Sequence, residues 1–309
     1  MPTKNFPEVA PSALPILSII IPHHNRPEML ADLIASIPDC PEIEVIVIDD
    51  HSDMRPNLVG REQVVMACLD EGQRYAGTAR NLGLALARGD WIGFADSDDL
   101  FALEALPQLL THLQTCDDDL VVTRVDSFDS ANGRRGTRHL ALDAVFDRAR
   151  SGDTTMLVQH YAPMGKFVRR SLVEARGLMF EPTRVSNDVL YSARLALCAS
   201  NVGFVDEVLY RVREGHESLT SRVDPASIAQ RIDVLIRFNA LLRATGAGRY
   251  VVPAIGQLRR LACRWPLKAL RLALHARLHG TPIAFTRLQL EKAWARLRKP
   301  LVHRAEVSA

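Results

Sequence analysis

The sequence lacks the features that mark a membrane-spanning or secreted chain. Nowhere in its 309 residues is there an uninterrupted apolar run of the roughly 18 to 20 needed to cross a bilayer as a helix. Met1 to Pro15 lacks the basic end and apolar core of a leader segment. Five cysteines, Cys40, Cys68, Cys116, Cys198 and Cys263, are odd in number, widely spaced and without a CxxC pair, so neither a disulfide framework nor a zinc site is expected. That usage fits a reducing cytoplasm. Low-complexity tracts and internal repeats are missing as well. So is a glycine-rich phosphate loop after the first strand-like run, where Pro22-His23-His24-Asn25 stands instead; this weighs against a nucleotidyltransferase or another Rossmann-like nucleotide enzyme.

What is present is ordinary globular composition, 47% hydrophobic and 24% charged, in a chain long enough for one large α/β domain or a domain with an extension. The net charge of +2 hides an asymmetry. From Arg249 onward there are 13 Lys and Arg against two acids, Glu291 and Glu306, which leaves 25 against 34 before it. A nucleic-acid-binding module would explain that basic tail by phosphate neutralisation but leaves the acidic motifs below unexplained, so no nucleic-acid partner is expected.

Leu17-Ser18-Ile19-Ile20-Ile21, ended by Pro22, and Val45-Ile46-Val47-Ile48, ended by Asp49-Asp50, read as buried parallel strands. Between them, Arg26 to Ile37 carries Met29, Leu30, Leu33, Ile34 and Ile37 at helical spacing, with Pro27 where a helix start tolerates it. A helical Thr78 to Ala87 and the run Trp91-Ile92-Gly93-Phe94-Ala95 repeat the alternation, which predicts an open α/β sheet with ligands at the carboxyl ends of its strands. Leu120-Val121-Val122 is a further strand, and the polar Asp126 to Arg138 reads as an exposed loop. Helices are expected from Ala141 and over Val185 to Ala199, strands at Val202 to Val205 and Val208 to Tyr210, and helix after about Asp224.

The expected strand ends carry the chemistry. Asp96-Ser97-Asp98-Asp99 places three carboxylates within four residues, a mutual repulsion that a hard cation removes; Mg2+ and Mn2+ prefer such oxygen donors. A turn or helix cap uses the same residue types, and Asp99 alone suits that role.

Four segments occur in order: Ser18 to Arg26, Val45 to Asp53 (Val-Ile-Val-Ile-Asp-Asp-His-Ser-Asp), Gly77-Thr78-Ala79-Arg80-Asn81-Leu82-Gly83, and Gly89 to Asp99. Together they resemble the family 2 glycosyltransferases, strongly over about residues 16 to 101 and more loosely to about 221. The resemblance implies a GT-A fold, an α/β (Rossmann-like) open mixed sheet, with a nucleotide-sugar donor and a divalent metal, Mn2+ or Mg2+, held by the DxD motif. By position it makes Asp98 the direct metal ligand and Asp96 a ribose or metal contact, with Ser97 between them. Pro22, His24, Asn25, Asp49 and Asp50 fall in the nucleoside-holding motifs, His24 standing where the family usually carries Tyr. Arg80 is expected to pair with diphosphate oxygens. Phe180 to Tyr191 resembles the segment in which an acidic pair opens a helix and its Asp serves as the base of an inverting transfer. Asp188 matches that Asp, while Asn187 replaces the usual Glu; as residue types, Ser186, Asn187 and Asp188 equally suit a helix N-terminus. Met164 to Ser171 and Gly177 to Phe180 resemble the stretch before this base, and Tyr210 to Ser221 resembles a closing loop in which His216 is a candidate metal or diphosphate contact. The acceptor so implied is a hydroxyl of a saccharide or lipid-linked saccharide.

The expected organisation is an N-terminal extension over 1–15, a catalytic domain over 16–223 and a basic helical extension over 224–309. From Ile255 to Leu278, Leu258, Leu261, Trp265, Leu270, Leu274 and Leu278 share a broad helical face beside Arg259, Arg260, Arg264, Lys268, Arg271 and Arg277. Such a helix is able to lie on an anionic membrane, as a peripheral protein at its inner face; packing on the acidic body is the alternative.

Overall fold

The computed structural model describes residues 14–54, 56, 61, 63–102, 104–215 and 224–284. The chain divides into two compact units, Met1–Ser221 and Arg222–Ala309.

In the first unit, β1 (Leu17–His23) and β2 (Ile43–Asp49) are buried at every position. Their continuous apolar character follows from having both faces covered. Leu17, Ile19 and Ile21 join a core with α1 (Pro27–Ala35) and α3 (Ala105–Thr115), whereas Ile20 points oppositely to α2 (Ala76–Leu86). Pro27 lies in the first turn of α1, where its missing N–H costs nothing.

The remaining strands are β3 (Val64–Cys68), β4 (Trp91–Phe94), β5 (Leu100–Phe101), β6 (Leu120–Asp129), β7 (Lys166–Arg169) and β8 (Val202–Glu214). They form one eight-stranded mixed sheet of order β3-β2-β1-β4-β7-β6-β8-β5. β3 through β4 run parallel, β7 is antiparallel to β4 and β6, and β8 is parallel to β6. The chain winds outward from β1 to β3 and returns on the other side of β1 as β4. That reversal opens a crevice at the carboxyl ends of β1 and β4, where open α/β sheets hold ligands. The helices α4 (Leu140–Arg150), α5 (Arg170–Arg176) and α6 (Val189–Cys198) complete the unit.

Two expectations need correction. Asp126 to Asp129 are not loop but the end of β6, paired in register with Arg211 to Glu214 of β8. Their polar residues sit on a strand because Arg211 and Arg213 lie over the Phe128 ring and Ser127 is wholly buried. The stretch Ile255 to Leu278 is two helices, α8 (Ile255–Ala262) and α9 (Pro266–Leu278). Pro266 cannot continue a helix but can begin one. These helices and α7 (Pro225–Ala244), capped by Asp224 accepting from the Ser227 amide at 2.9 Å, surround a core of Ile228, Ile232, Leu258, Leu261 and Ala276 in the second unit.

At Gly77, in the first turn of α2, an added Cβ would stand 2.1 Å from the Glu181 carbonyl oxygen and 2.8 Å from Asn187 Cβ. Gly to Ala inside a helix ordinarily stabilises by about 1 kcal/mol. Here Gly77→Ala is expected to destabilise by about 1–3 kcal/mol, the typical cost of overpacking, and to lower the melting temperature. A melting temperature equal to or above the parent's would show that the Glu181 segment moves aside freely.

Candidate functional site

The first carboxylate motif follows β4. One oxygen each from Asp96, Asp98 and Asp99 lies within 4.8 Å of the others. Asp99 is buried: Tyr210 Oη donates to its Oδ2 at 3.0 Å and the Arg213 amide to its Oδ1 at 2.8 Å. Burial, then the charges of Asp96 and Asp98, push its carboxyl well above the usual range. The Tyr210 hydroxyl also accepts from the Asp96 amide at 2.8 Å, so β8 holds the turn from beneath. Asp98 pairs with the Arg26 guanidinium at the start of α1. Ser97 is buried between them. An all-oxygen set of crowded carboxylates, one of them driven toward its neutral form by burial and by the others' charges, fits a hard divalent cation.

Arg80 is the link to the second half of the site. Its side chain is only 5% exposed; Nη2 donates to Asp96 Oδ1 at 2.6 Å and Nη1 to Asn187 Oδ1 at 2.8 Å, with the Phe180 ring 5.2 Å from the guanidinium. Nε is buried and has no hydrogen-bond partner among the described residues. The guanidinium expected at the diphosphate is therefore committed first to the two protein segments beside it. One residue on, Asn81 exchanges two hydrogen bonds with the Phe180 backbone, at 2.9 and 2.8 Å. The close approach permitted by Gly77 and these bonds fix the Phe180 to Asp188 segment against α2.

Asp188 opens α6, and its backbone carbonyl accepts from the Ser192 amide at 2.9 Å. Its carboxylate makes no capping hydrogen bond. Protein encloses it on most sides while some solvent contact remains, and burial raises its carboxyl above the ordinary range against the opposing pull of Arg80 and Lys166. Lys166, on β7, is itself buried; burial pulls its ammonium down to about 7, offset in part by the Asp188 charge, and its Nζ donates to the His160 carbonyl. Sequence reasoning matched Lys166 as part of a segment without giving it a role. Arg26 and Tyr210 were missed in the same way, since each acts on a residue far along the chain.

The nucleoside motifs meet beyond β1 and β2. Asn25, at φ 52°, donates to Asp53 Oδ2 at 3.0 Å and accepts from the Asp53 amide at 2.8 Å, closing the two loops on each other. Asp49 is buried and accepts from Ser52 Oγ at 2.5 Å and its amide at 3.2 Å. Both side chains thus serve the loop framework. His24 Nδ1 lies 2.6 Å from the Asp50 carbonyl oxygen. Asp50 Oδ2 accepts from the Tyr75 amide at 2.7 Å, while its Oδ1 is buried with no hydrogen-bond partner among the described residues. Pro22 pairs with Ile48 within the sheet, and His23, buried with neither ring nitrogen hydrogen-bonded among the described residues, is held below the ordinary histidine range by burial. His216 lies outside the described residues.

Similar proteins identify the family and the fold. A family model described as Glycosyl transferase family 2 matches residues 18–177. The chain is similar to glycosyltransferase GlyG of Streptococcus pneumoniae, 24% identical over 66% of this chain and 72% of the relative. It is similar also to EpsJ of Bacillus subtilis, an uncharacterised glycosyltransferase, 25% identical over 67% of this chain and 63% of that one. In fold it resembles crystalline S. aureus TarS 1–349 in complex with UDP-GlcNAc: TM-score 0.66 and 17% identity, covering 91% of this chain and 87% of that one. Mannosyltransferase PcManGT from Pyrobaculum calidifontis, in complex with GDP-Man and Mn2+, gives a TM-score of 0.50 at 15% identity over 95% of this chain and 84% of that chain. With its family model matched over more than half its length and its sheet that of the GT-A enzymes, the chain belongs to glycosyltransferase family 2.

Proposed function

We propose that the protein transfers a sugar, with inversion at the anomeric carbon, from a UDP-sugar to a hydroxyl of a saccharide or lipid-linked saccharide, assisted by Mn2+ or Mg2+ at Asp96 and Asp98. The observation that carries this reading is Asp188. Its carboxylate caps nothing, is held above the ordinary range by burial, and is tied to the carboxylate cluster through Asn187 and Arg80. The crystalline TarS relative is bound to UDP-GlcNAc, and TarP and TarS of Staphylococcus aureus bear the name poly(ribitol-phosphate) β-N-acetylglucosaminyltransferase, which supports a uridine donor and a hydroxyl of a cell-envelope-type polymer as the kind of acceptor attacked.

In this mechanism Asp188 takes the proton of the acceptor hydroxyl as its oxygen attacks the sugar carbon. Lys166 steadies the ionised form of that carboxylate. The loops that carry Asn25 and Asp50 hold the nucleoside, and the Arg80 guanidinium offers its positive charge to the diphosphate while its hydrogen bonds to Asp96 and Asn187 keep the two halves in register. A bound dication supplies Lewis-acid stabilisation of the leaving diphosphate. His216 belongs to this proposal as a further diphosphate or metal contact. The setting is the cytoplasmic face of a membrane, where a lipid-linked acceptor would be met.

Three measurements test this. Asp98→Asn is expected to abolish the manganese-dependent part of UDP affinity in calorimetric titration without unfolding the protein, because an amide is a poor ligand for a hard dication. Undiminished manganese dependence would reject Asp98 as a ligand. Asp188→Asn should keep donor affinity, change stability by less than about 1 kcal/mol, and slow single-turnover transfer about 10²- to 10⁴-fold. Transfer at near the parent rate would remove Asp188 from the chemistry.

The third measurement is a pH profile. A base must be ionised to act, so kcat falls as pH drops through the Asp188 pKa, which lies above the ordinary carboxylate value. Lys166→Met removes a cation that holds that pKa down, so the acid limb should move to higher pH. Above about 7, where Lys166 itself loses its proton, the electrostatic difference from the parent should fade. An unmoved acid limb would show that Lys166 does not steady the base.

A further inference from the structure

The second unit presents a helix with two apolar faces. On α9, Ala269 and Ala276 are buried, and Leu272 and Ala273 pack against the unit's core. Leu267, Leu270, Leu274 and Leu278 are 73%, 68%, 57% and 74% exposed. At 100° per residue these four fall within an arc of about 80°, opposite the buried alanines, along a helix about 20 Å long. An exposed stripe of large apolar side chains rimmed by polar residues marks a surface that meets a partner or a membrane. The leucines of α8 behave differently, since Leu258 and Leu261 are buried in the core of the unit. The broad apolar face expected over Ile255 to Leu278 is thus divided, its first part turned inward and its second outward.

The charges around the outward stripe indicate what covers it. Helix α9 contains no Asp or Glu. By helical spacing Arg271, His275 and Lys268 border one edge of the stripe and Arg277 the other. His275 is paired with Asp233 at 3.0 Å, both in this unit. Two copies joined stripe to stripe would bring these cations together without compensating acids on the helix. An anionic bilayer satisfies both requirements: leucines enter the acyl boundary while Lys and Arg reach back to the headgroups. Among the described residues no helix is long and apolar enough to cross the bilayer.

We propose that α9 lies in the surface plane of an anionic membrane, with Leu267, Leu270, Leu274 and Leu278 inserted and Lys268, Arg271 and Arg277 at the phosphate level. This deepens the membrane setting of the function proposed above by naming the surface that makes the contact. Its test uses no turnover, so it can fail while the transfer reaction stands.

The experiment is sedimentation of the full chain with vesicles of phosphatidylcholine alone or mixed with phosphatidylglycerol. The parent should bind the mixed vesicles, less so at raised salt because exposed charges are screened. Leu270→Ser with Leu274→Ser should weaken binding by about tenfold or more, with an unchanged melting temperature because both side chains are more than half exposed. Lys268→Gln with Arg271→Gln should weaken binding to the mixed vesicles. UDP affinity should survive in both variants. Failure of the parent to sediment with the mixed vesicles at low salt overturns the proposal, as does undiminished binding of the serine variant. A lipid-free dimer that the serine variant disperses would assign the stripe to a second copy and overturn it equally.

Discussion

The site depends on one buried guanidinium. Arg80 spends two nitrogens on Asp96 and Asn187, residues from opposite sides of the site, and its ring neighbour Phe180 excludes water from one side. A charge removed from water this far is tolerated only if it is paired and hydrogen-bonded. The pairing therefore constrains its partners as much as it satisfies Arg80. Asp96 cannot swing away, and the segment that ends in Asp188 cannot lift, without leaving a buried cation uncompensated. The neutral amide at position 187 matters in this balance. It accepts a hydrogen bond without cancelling the charge, so the positive field of Arg80 remains for Asp96 and, at longer range, for Asp188.

A second constraint is the repulsion among Asp96, Asp98 and Asp99. The fold offsets it with different devices at each position: Arg80 at Asp96, Arg26 at Asp98, and a phenol and a backbone amide from β8 at Asp99. The cluster is thus held together by three other segments of chain before any ligand arrives. This is preorganisation in the strict sense, since the cost of crowding the carboxylates falls on folding rather than on binding.

The sequence made the centre of the sheet legible because β1, β2 and β4 are apolar on both faces and each run stops abruptly at polar residues. The same contrast exposed Asp49, Asp50 and Asp96 to Asp99. Strand pairing at the far edge was less legible: the last residues of β6, Asp126-Ser127-Phe128-Asp129, are mostly polar like a loop, and only the register with β8 makes them a strand. Within the site, residue type identified the carboxylates but not their keepers. Arg26 reaches 72 residues along the chain to Asp98, and Tyr210 reaches 114 back to Asp96. No local pattern encodes such distances. Lys166 was hidden for a different reason, since a lone lysine before an apolar strand reads as a solvated charge until its burial is seen.

The bond from Tyr210 to the turn at Asp96 has a consequence for the order in which the protein comes into being. The segments most recognisable in the sequence all lie before residue 102, yet the turn they contain is completed by a strand more than a hundred residues later. A nascent chain released only as far as α3 holds the acidic cluster without its floor, with Asp99 lacking both of its donors from β8. Completion of the acidic turn thus arrives late in synthesis, when β8 docks beside β6 and supplies Asp99 with its two donors.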